Sequence, residues 1–128
     1  MREKSEVGKI GEQIACEFLK EKKYHILYKN YLRPWGELDI IARDPDGVLV
    51  VVEVKTSWGV GEGYSPEQNY TFDKDRKTRK TTKMFMAKYP DLFDEDIGYR
   101  IDLITVQIKN PTLVDWHDDC DIRHYENL

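Results

Sequence analysis

The sequence predicts a mixed α/β domain, with its elements in the order α-β-β-β-α-β around one mixed central sheet flanked by helices. Three observations lead there. Val7, Ile10, Gly11, Ile14, Ala15 and Phe18 recur at helical spacing. Two strand-like runs, Glu37 to Arg43 and Val48 to Lys55, flank the turn signal Asp44-Pro45-Asp46-Gly47. A second helical stretch then separates these runs from YRIDLITVQI, and alternation of this kind builds α/β layers.

Each element has a local reason. Roughly Ser5 to Lys23 reads as an amphipathic helix with Ser5 as N-cap. Tyr24 to Tyr31 reads as a strand, followed by a turn at Arg33-Pro34-Trp35-Gly36. After the two central strands, Ser57 to Tyr70 carries three glycines and a proline and predicts a mobile loop. The second helix spans about Phe72 to Tyr89 and is ended by Pro90. Tyr99 to Ile108 is a further strand, and Leu113 to Trp116 is read as a short edge strand. No repeat or Pro/Gly linker divides the chain. The 128 residues suit a single domain, with a core over about 5–108 and an acidic extension over 109–128.

Composition narrows the class. Forty per cent hydrophobic and 34% charged residues are ordinary for a globular protein. The N-terminus MREKSEVGKI is not apolar and the longest aliphatic run is Val48 to Val52, which predicts a cytoplasmic chain, neither secreted nor membrane-spanning. Cys16 and Cys120 read as two free thiols. The net charge of −4 argues against a uniformly basic nucleic-acid binder, but the charge is unevenly placed. Residues 1–90 balance at +3 and residues 91–128 at −7, and Asp73 to Lys88 holds seven basic and two acidic residues. That helix is read as either a solvated face or a local polyanion-binding face.

The hairpin carries the chemistry. Asp44 to Val48 fits a three-residue loop with Gly47 in the left-handed region. Counting outward, Arg43 faces Leu49, Ile41 faces Val51, Asp39 faces Glu53 and Glu37 faces Lys55, all on one side of the sheet. Leu38, Ile40, Ala42, Val50, Val52 and Val54 form the other, apolar side. Two carboxylates are then about 5 Å apart, and their repulsion needs a proton, a cationic side chain or a metal. A hard divalent cation would satisfy both. The alternative is an ion cluster neutralised by Lys55 and Arg43. Glu12 joins the candidates because its helical neighbours Gly8, Ala15 and Cys16 are small and leave room for a close approach; it also reads as a solvated glutamate. A competing metal pattern, His117-x2-Cys120-x3-His124, lacks an obvious fourth ligand, and a frayed polar terminus is its plain reading.

Asp39 followed by Glu53-Val54-Lys55 resembles the PD-(D/E)xK nuclease superfamily. Within it the chain is similar to the small YraN-like family of predicted endonucleases, distantly similar to archaeal Holliday-junction resolvases. The pieces that carry the resemblance are GKIGEQIA from Gly8, YHILYKNYLRPWGELDIIA from Tyr24, VVEVKT from Val51, Lys74 on the basic helix, and RIDLITV from Arg100. Departures are Leu38 in place of the superfamily proline, Ser57 where an arginine is frequent, and Thr81-Thr82 where two alanines are usual. The resemblance implies a restriction-endonuclease-like core and hydrolysis of phosphodiester bonds in DNA, branched or junction DNA included. It implies Mg2+ or Mn2+ held by Asp39, Glu53, the Val54 carbonyl and Glu12, with Lys55 orienting the attacking water or stabilising charge on the phosphate. Lys74, Arg76, Lys77, Lys80 and Arg33 become candidates for DNA-backbone contact, with Trp35 nearby. It also admits a two-fold homodimer, for which Trp58, Tyr64, Tyr70 and Trp116 are interface candidates. Two other classes stay open: a nuclease-fold module that binds DNA or protein without cutting, and a structural domain whose carboxylates form only an ion cluster.

Overall fold

In the computed structural model of the chain, residues 6–59, 71–94, 96–110 and 112–128 are described. The expected Ser5 cap, most of the 57–70 loop, Tyr64 and Tyr70 lie outside them. Helix α1 spans Glu6–Glu21, strand β1 His25–Arg33, β2 Gly36–Arg43 and β3 Leu49–Trp58. Helix α2 spans Phe72–Lys88, with a 3-10 turn at Pro90–Leu92. Strand β4 spans Tyr99–Ile108, a helical turn α3 spans Trp116–Asp119 and β5 spans Cys120–Tyr125. No helix among the described residues is long and apolar enough to cross a membrane.

The five strands lie in sequence order, with β3 and β4 parallel and the other neighbours antiparallel. The hairpin register is the one the turn chemistry predicts: Asp44 N donates to the Val48 carbonyl, Gly47 has φ 89°, and Arg43 pairs with Leu49. The Asp44 side chain tightens the turn by accepting from the N–H groups of Asp46 and Val48, each at 2.9 Å. Ser57 and Trp58, expected in the loop, instead extend β3 and pair with Gln107 and Ile108.

The edge strand is a correction. Leu113 to Trp116 does not form it; β5 does, pairing Ile108 with Cys120 through to Leu103 with Tyr125. The segment read as a frayed terminus therefore completes the sheet. Its alternation is legible only afterwards, because Cys120, Ile122 and His124 share a face with charges between them.

The sheet separates two cores. On one face Ile14, Ala15 and Leu19 of α1 pack on Ile40, Ala42, Val50, Val52, Val54, Ile104 and Val106. On the other, Phe85 of α2 packs on Tyr31, Leu38, Ile41, Leu49, Val51 and Ile101. Leu38 thus belongs to the α2 side, against the expectation that it shares a face with Ile40. The β2–β3 ladder ends at Ile40–Val52, and the alternation of β2 breaks there. Two glycines set the approach of the helices. A Cβ on Gly11 would collide with Thr56 Oγ1, and one on Gly36 with Thr81 Oγ1. Thr81 and Thr82, both wholly buried, place their hydroxyls by donating to the carbonyls of Lys77 and Thr78.

A buried polar network ties the C-terminal strand to the body. Arg100 donates to Asp44 Oδ2 at 2.5 Å, to Asp102 Oδ1 at 3.1 Å and to the Tyr24 hydroxyl at 2.7 Å. Asp102, wholly buried, also meets His124 Nε2 at 2.8 Å and the Asn127 N–H at 3.0 Å. Burial works to raise the Asp102 carboxyl, but the bonds from His124, Asn127 and Arg100 outweigh it and hold it below the usual carboxylate range. Asp44 is lowered in the same way: burial opposes, while Val48, Arg100 and Asp46 prevail. Both carboxylates therefore contribute stability that is complete above their ordinary unfolded pKa, about 3.9, and that is lost as pH falls through the lowered folded values. Asp102→Asn is expected to cost about 3 kcal/mol at neutral pH, the order found when one partner of a buried ion pair is removed. Urea melts at pH 7, 4 and 3 check both points: the wild-type midpoint falls below pH 4, and the variant's falls less.

Candidate active site

The start of β2 and the end of β3 meet α1 and α2 around a cavity of about 700 Å3. Its lining includes Glu12, Glu37, Asp39, Glu53, Val54, Lys55, Asp73, Lys74 and Lys77, with Gly8 and Gly36 at its walls. Glu12, Asp39 and Glu53 are 6%, 7% and 8% exposed, deep burial for three carboxylates. Of the sequence candidates, the structure brings Glu12, Asp39, Glu53, Val54, Lys55, Lys74 and Lys77 to this one place.

The end of the ladder creates the site. The paired register stops at Ile40–Val52, one pair short of the expected Asp39–Glu53 facing, yet the two carboxylates line the same cavity and the Asp39 charge acts on Glu53. At that point the Asp39 side chain takes over from the backbone, and its Oδ2 accepts from the Val54 N–H at 2.9 Å. A residue of an antiparallel strand turns its N–H and C=O toward the same neighbour. The Val54 carbonyl therefore faces the gap that β2 has left, and Val54 lines the cavity. The facing of Glu37 and Lys55 is not realised as a pair, because the ladder has already ended.

Electrostatics centre on Glu53. Burial, and then the Asp39 charge, raise its carboxyl above the ordinary range. Two lysines answer it. Lys74 forms an ion pair with Glu53 Oε1, and Lys55 lies 3.9 Å from the same oxygen. Burial and the neighbouring Lys74 ammonium lower Lys55. For Lys74, burial pulls downward but the Glu53 charge outweighs it, so Lys74 is raised.

Sequence reasoning placed Lys74 on the DNA-binding face and missed it as a partner of Glu53. One signal was available: a lysine in the first turn of a helix opposes the helix dipole, so some other charge must hold it there. Arg43 takes no part in neutralising the carboxylates, since it donates to the Leu92 carbonyl at 2.6 Å. Arg76 and Lys77 share Asp73, at 2.6 and 3.3 Å, and Lys80 is exposed. The Arg33 guanidinium lies over the Tyr31 ring, 4.1 Å from its centroid, and Trp35 is 41% exposed. Trp58 is exposed, whereas Trp116 packs edge-on to Phe18 and donates to Glu17 at 2.7 Å within the chain.

The competing pattern in the C-terminal segment does not assemble. Cys120 and His124 are four residues apart on one strand, about 13 Å at the usual rise. His117 is held at the surface by Glu21 and Asp115. An Asp/His/Glu group whose ligand atoms lie within 4.8 Å of one another does exist at Asp102, His124 and Glu126. Arg100 already bonds to both of its carboxylates, so a cation would have to displace a guanidinium.

The Asp39–Val54 bond makes a prediction about the metal-free protein. Asp39→Asn keeps an oxygen acceptor for the Val54 N–H and removes the repulsion with Glu53, so its melting temperature in EDTA is expected to equal or exceed the wild type. Asp39→Ala leaves that N–H unsatisfied and is expected to cost about 1–3 kcal/mol. A clear drop for the asparagine variant would contradict the facing of the two carboxylates.

A UPF0102 protein of Persephonella marina is 38% identical over 103 residues, 80% of this chain and 84% of that one. One of Clostridium botulinum (strain Loch Maree) is 37% identical over 101 residues, 79% of each. One of Desulforamulus reducens is 33% identical over 121 residues, 94% of this chain and 93% of that one. Among solved structures, a chain of an EndoMS–dsDNA2 complex is similar at 17% identity with a TM-score of 0.39, over 78% of this chain and 36% of that one. The chain spans about a third of that neighbour's length, and a likeness at this score carries no argument about activity. The profile of the uncharacterised protein family UPF0102 matches residues 11–106, from the glycine that admits Thr56 to the fourth strand, and the chain belongs to that family.

Proposed function

We propose that the chain is a divalent-metal-dependent endonuclease of the PD-(D/E)xK type, hydrolysing phosphodiester bonds in DNA. The observation that carries this reading is the convergence of Glu12, Asp39, Glu53 and the Val54 carbonyl on one cavity, with Lys55 beside Glu53. The donor set fits the ion. Among the described residues the lining offers carboxylate and carbonyl oxygen and neither Cys nor His, which suits hard Mg2+ or Mn2+. Asp39, Glu53, the Val54 carbonyl and Glu12 would hold it. When bound, the cation supplies Lewis-acid stabilisation of the charge that develops on the phosphate.

The chain's own residues do the rest. Lys55, half-buried, places a positive charge where the attacking water and the phosphate oxygens must meet. Arg76 and Lys77 are tied to Asp73 only by exposed pairs, which are weak and exchange readily for a phosphate. Lys80 and Arg33 extend the basic surface. One domain holds one such site, so symmetric cutting of a junction would need a two-fold pair of chains.

A Mn2+-supported cleavage assay on linear, flapped and four-way DNA tests this reading. Wild type is expected to cut at least one substrate, Glu53→Ala none, and Lys55→Ala about 10²–10³-fold more slowly. DNA binding without cleavage on every substrate would favour the non-cutting module instead. Lys77→Glu with Lys80→Glu is expected to weaken DNA binding regardless of sequence and to flatten its salt dependence, measured by fluorescence anisotropy.

A further inference from the structure

Lys74 is the least expected group in the cavity. Its ammonium contacts Glu53 Oε1, the same oxygen that Lys55 approaches at 3.9 Å. Two like charges thus converge on one carboxylate oxygen. Lys55 is carried on β3 with Glu53 itself, so the sheet fixes the backbone of both and no helix dipole opposes its charge. Lys74 is not so fixed. It stands in the first turn of α2, where Thr71 caps its N–H at 3.1 Å and where the helix dipole disfavours a cation. A long flexible stem carries its charge, and the side chain is one-third exposed at the cavity wall. The base of that stem stays put, because the close contact of Gly36 with Thr81 seats α2 on the start of β2.

The charge balance gives Lys74 a task. Among the described residues the lining holds five carboxylates, Glu12, Glu37, Asp39, Glu53 and Asp73, against three lysines, Lys55, Lys74 and Lys77, a formal balance of −2 to which Arg76, paired with Asp73 outside the lining, returns one charge. One divalent cation would offset the remaining negative excess. A cation at Asp39 and Glu53 would compete with Lys74 for Glu53, and the dipole-opposed partner is the one that gives way. The released ammonium remains within reach of the cavity mouth, where a phosphodiester would lie.

Resting on the metal-dependent reading above, we propose that Lys74 is a positioning residue, the resting counter-ion of Glu53: it holds the carboxylate in the metal-free site, yields it to the incoming divalent cation and then engages the substrate phosphate. Metal and DNA binding are coupled through this one side chain, and by linkage each raises the affinity of the other by the same factor.

Titration calorimetry of EDTA-stripped protein with Mn2+ tests the exchange. Lys74→Met and Lys74→Gln are expected to bind Mn2+ about tenfold more tightly than wild type, because a charge-assisted contact no longer competes for Glu53. Lys74→Arg, which keeps the cation, is expected to stay near wild type. Melting temperatures of all three confirm that the fold is retained, and the two neutral variants guard against failure of either. Equal or weaker Mn2+ binding by a folded neutral variant overturns the counter-ion role and leaves the metal site standing. Absence of Mn2+ binding by wild type and variants alike overturns the metal-dependent reading, and this proposal with it. A second readout is the gain in affinity for labelled duplex DNA when Ca2+ replaces EDTA. That gain is expected to shrink in Lys74→Gln, with affinity in EDTA unchanged. An equal loss in both conditions would make Lys74 a permanent phosphate contact and overturn the exchange.

Discussion

The hydrogen bond from the Val54 N–H to Asp39 Oδ2 stands where backbone pairing between β2 and β3 gives out. Up to Ile40–Val52 the two strands satisfy each other. Beyond it, an aspartate carboxylate satisfies the next N–H, β2 parts from β3, and a gap opens between two layers of helix. The carboxylates at this gap are not placed there in addition to the fold. Asp39 terminates the ladder, and the same termination turns the Val54 carbonyl and the Glu53 carboxylate into a shared cavity.

Helix placement follows from two close contacts around that gap. Gly11 lets α1 settle against Thr56 on β3, which brings Glu12, the next residue, into the cavity from one side of the sheet. Gly36 lets the start of β2 settle against Thr81, which fixes α2 and brings Lys74 in from the other. Each glycine thereby controls the reach of a charged side chain, and a methyl group at either would push its helix away.

Two buried charge clusters among the described residues are resolved differently. Around Asp102 a guanidinium, an imidazole and a backbone N–H satisfy the carboxylate with fixed geometry, and the result is a structural tie between β4, β5 and the β2–β3 turn. Around Glu53 the answering charges are lysines on flexible stems, and carboxylates outnumber them. Rigid, bidentate-capable arginine suits permanence, whereas lysine suits exchange. That contrast separates an exchangeable set of charges around Glu53 from a fixed one around Asp102.

The sequence by itself determined the elements that depend on neighbours in the chain. Helical periodicity located α1 and α2, the Asp44–Gly47 turn set the β2–β3 register, and that register placed Asp39 opposite Glu53. Spacing drew Glu53, Lys55 and Glu12 toward Asp39 as one candidate site, and the family resemblance then gave them roles. Only the tertiary structure decided what depends on segments far apart. β5 was missed because its partners in β4 lie 12 to 22 positions earlier and its composition is that of an acidic tail. Leu38 changed sides because alternation holds only while the ladder lasts. Lys74 was grouped with the candidates for DNA-backbone contact because nothing local shows which side of α2 meets β3; the contact between Gly36 and Thr81 decides that, and a contact between residues 45 positions apart leaves no periodic trace in either segment.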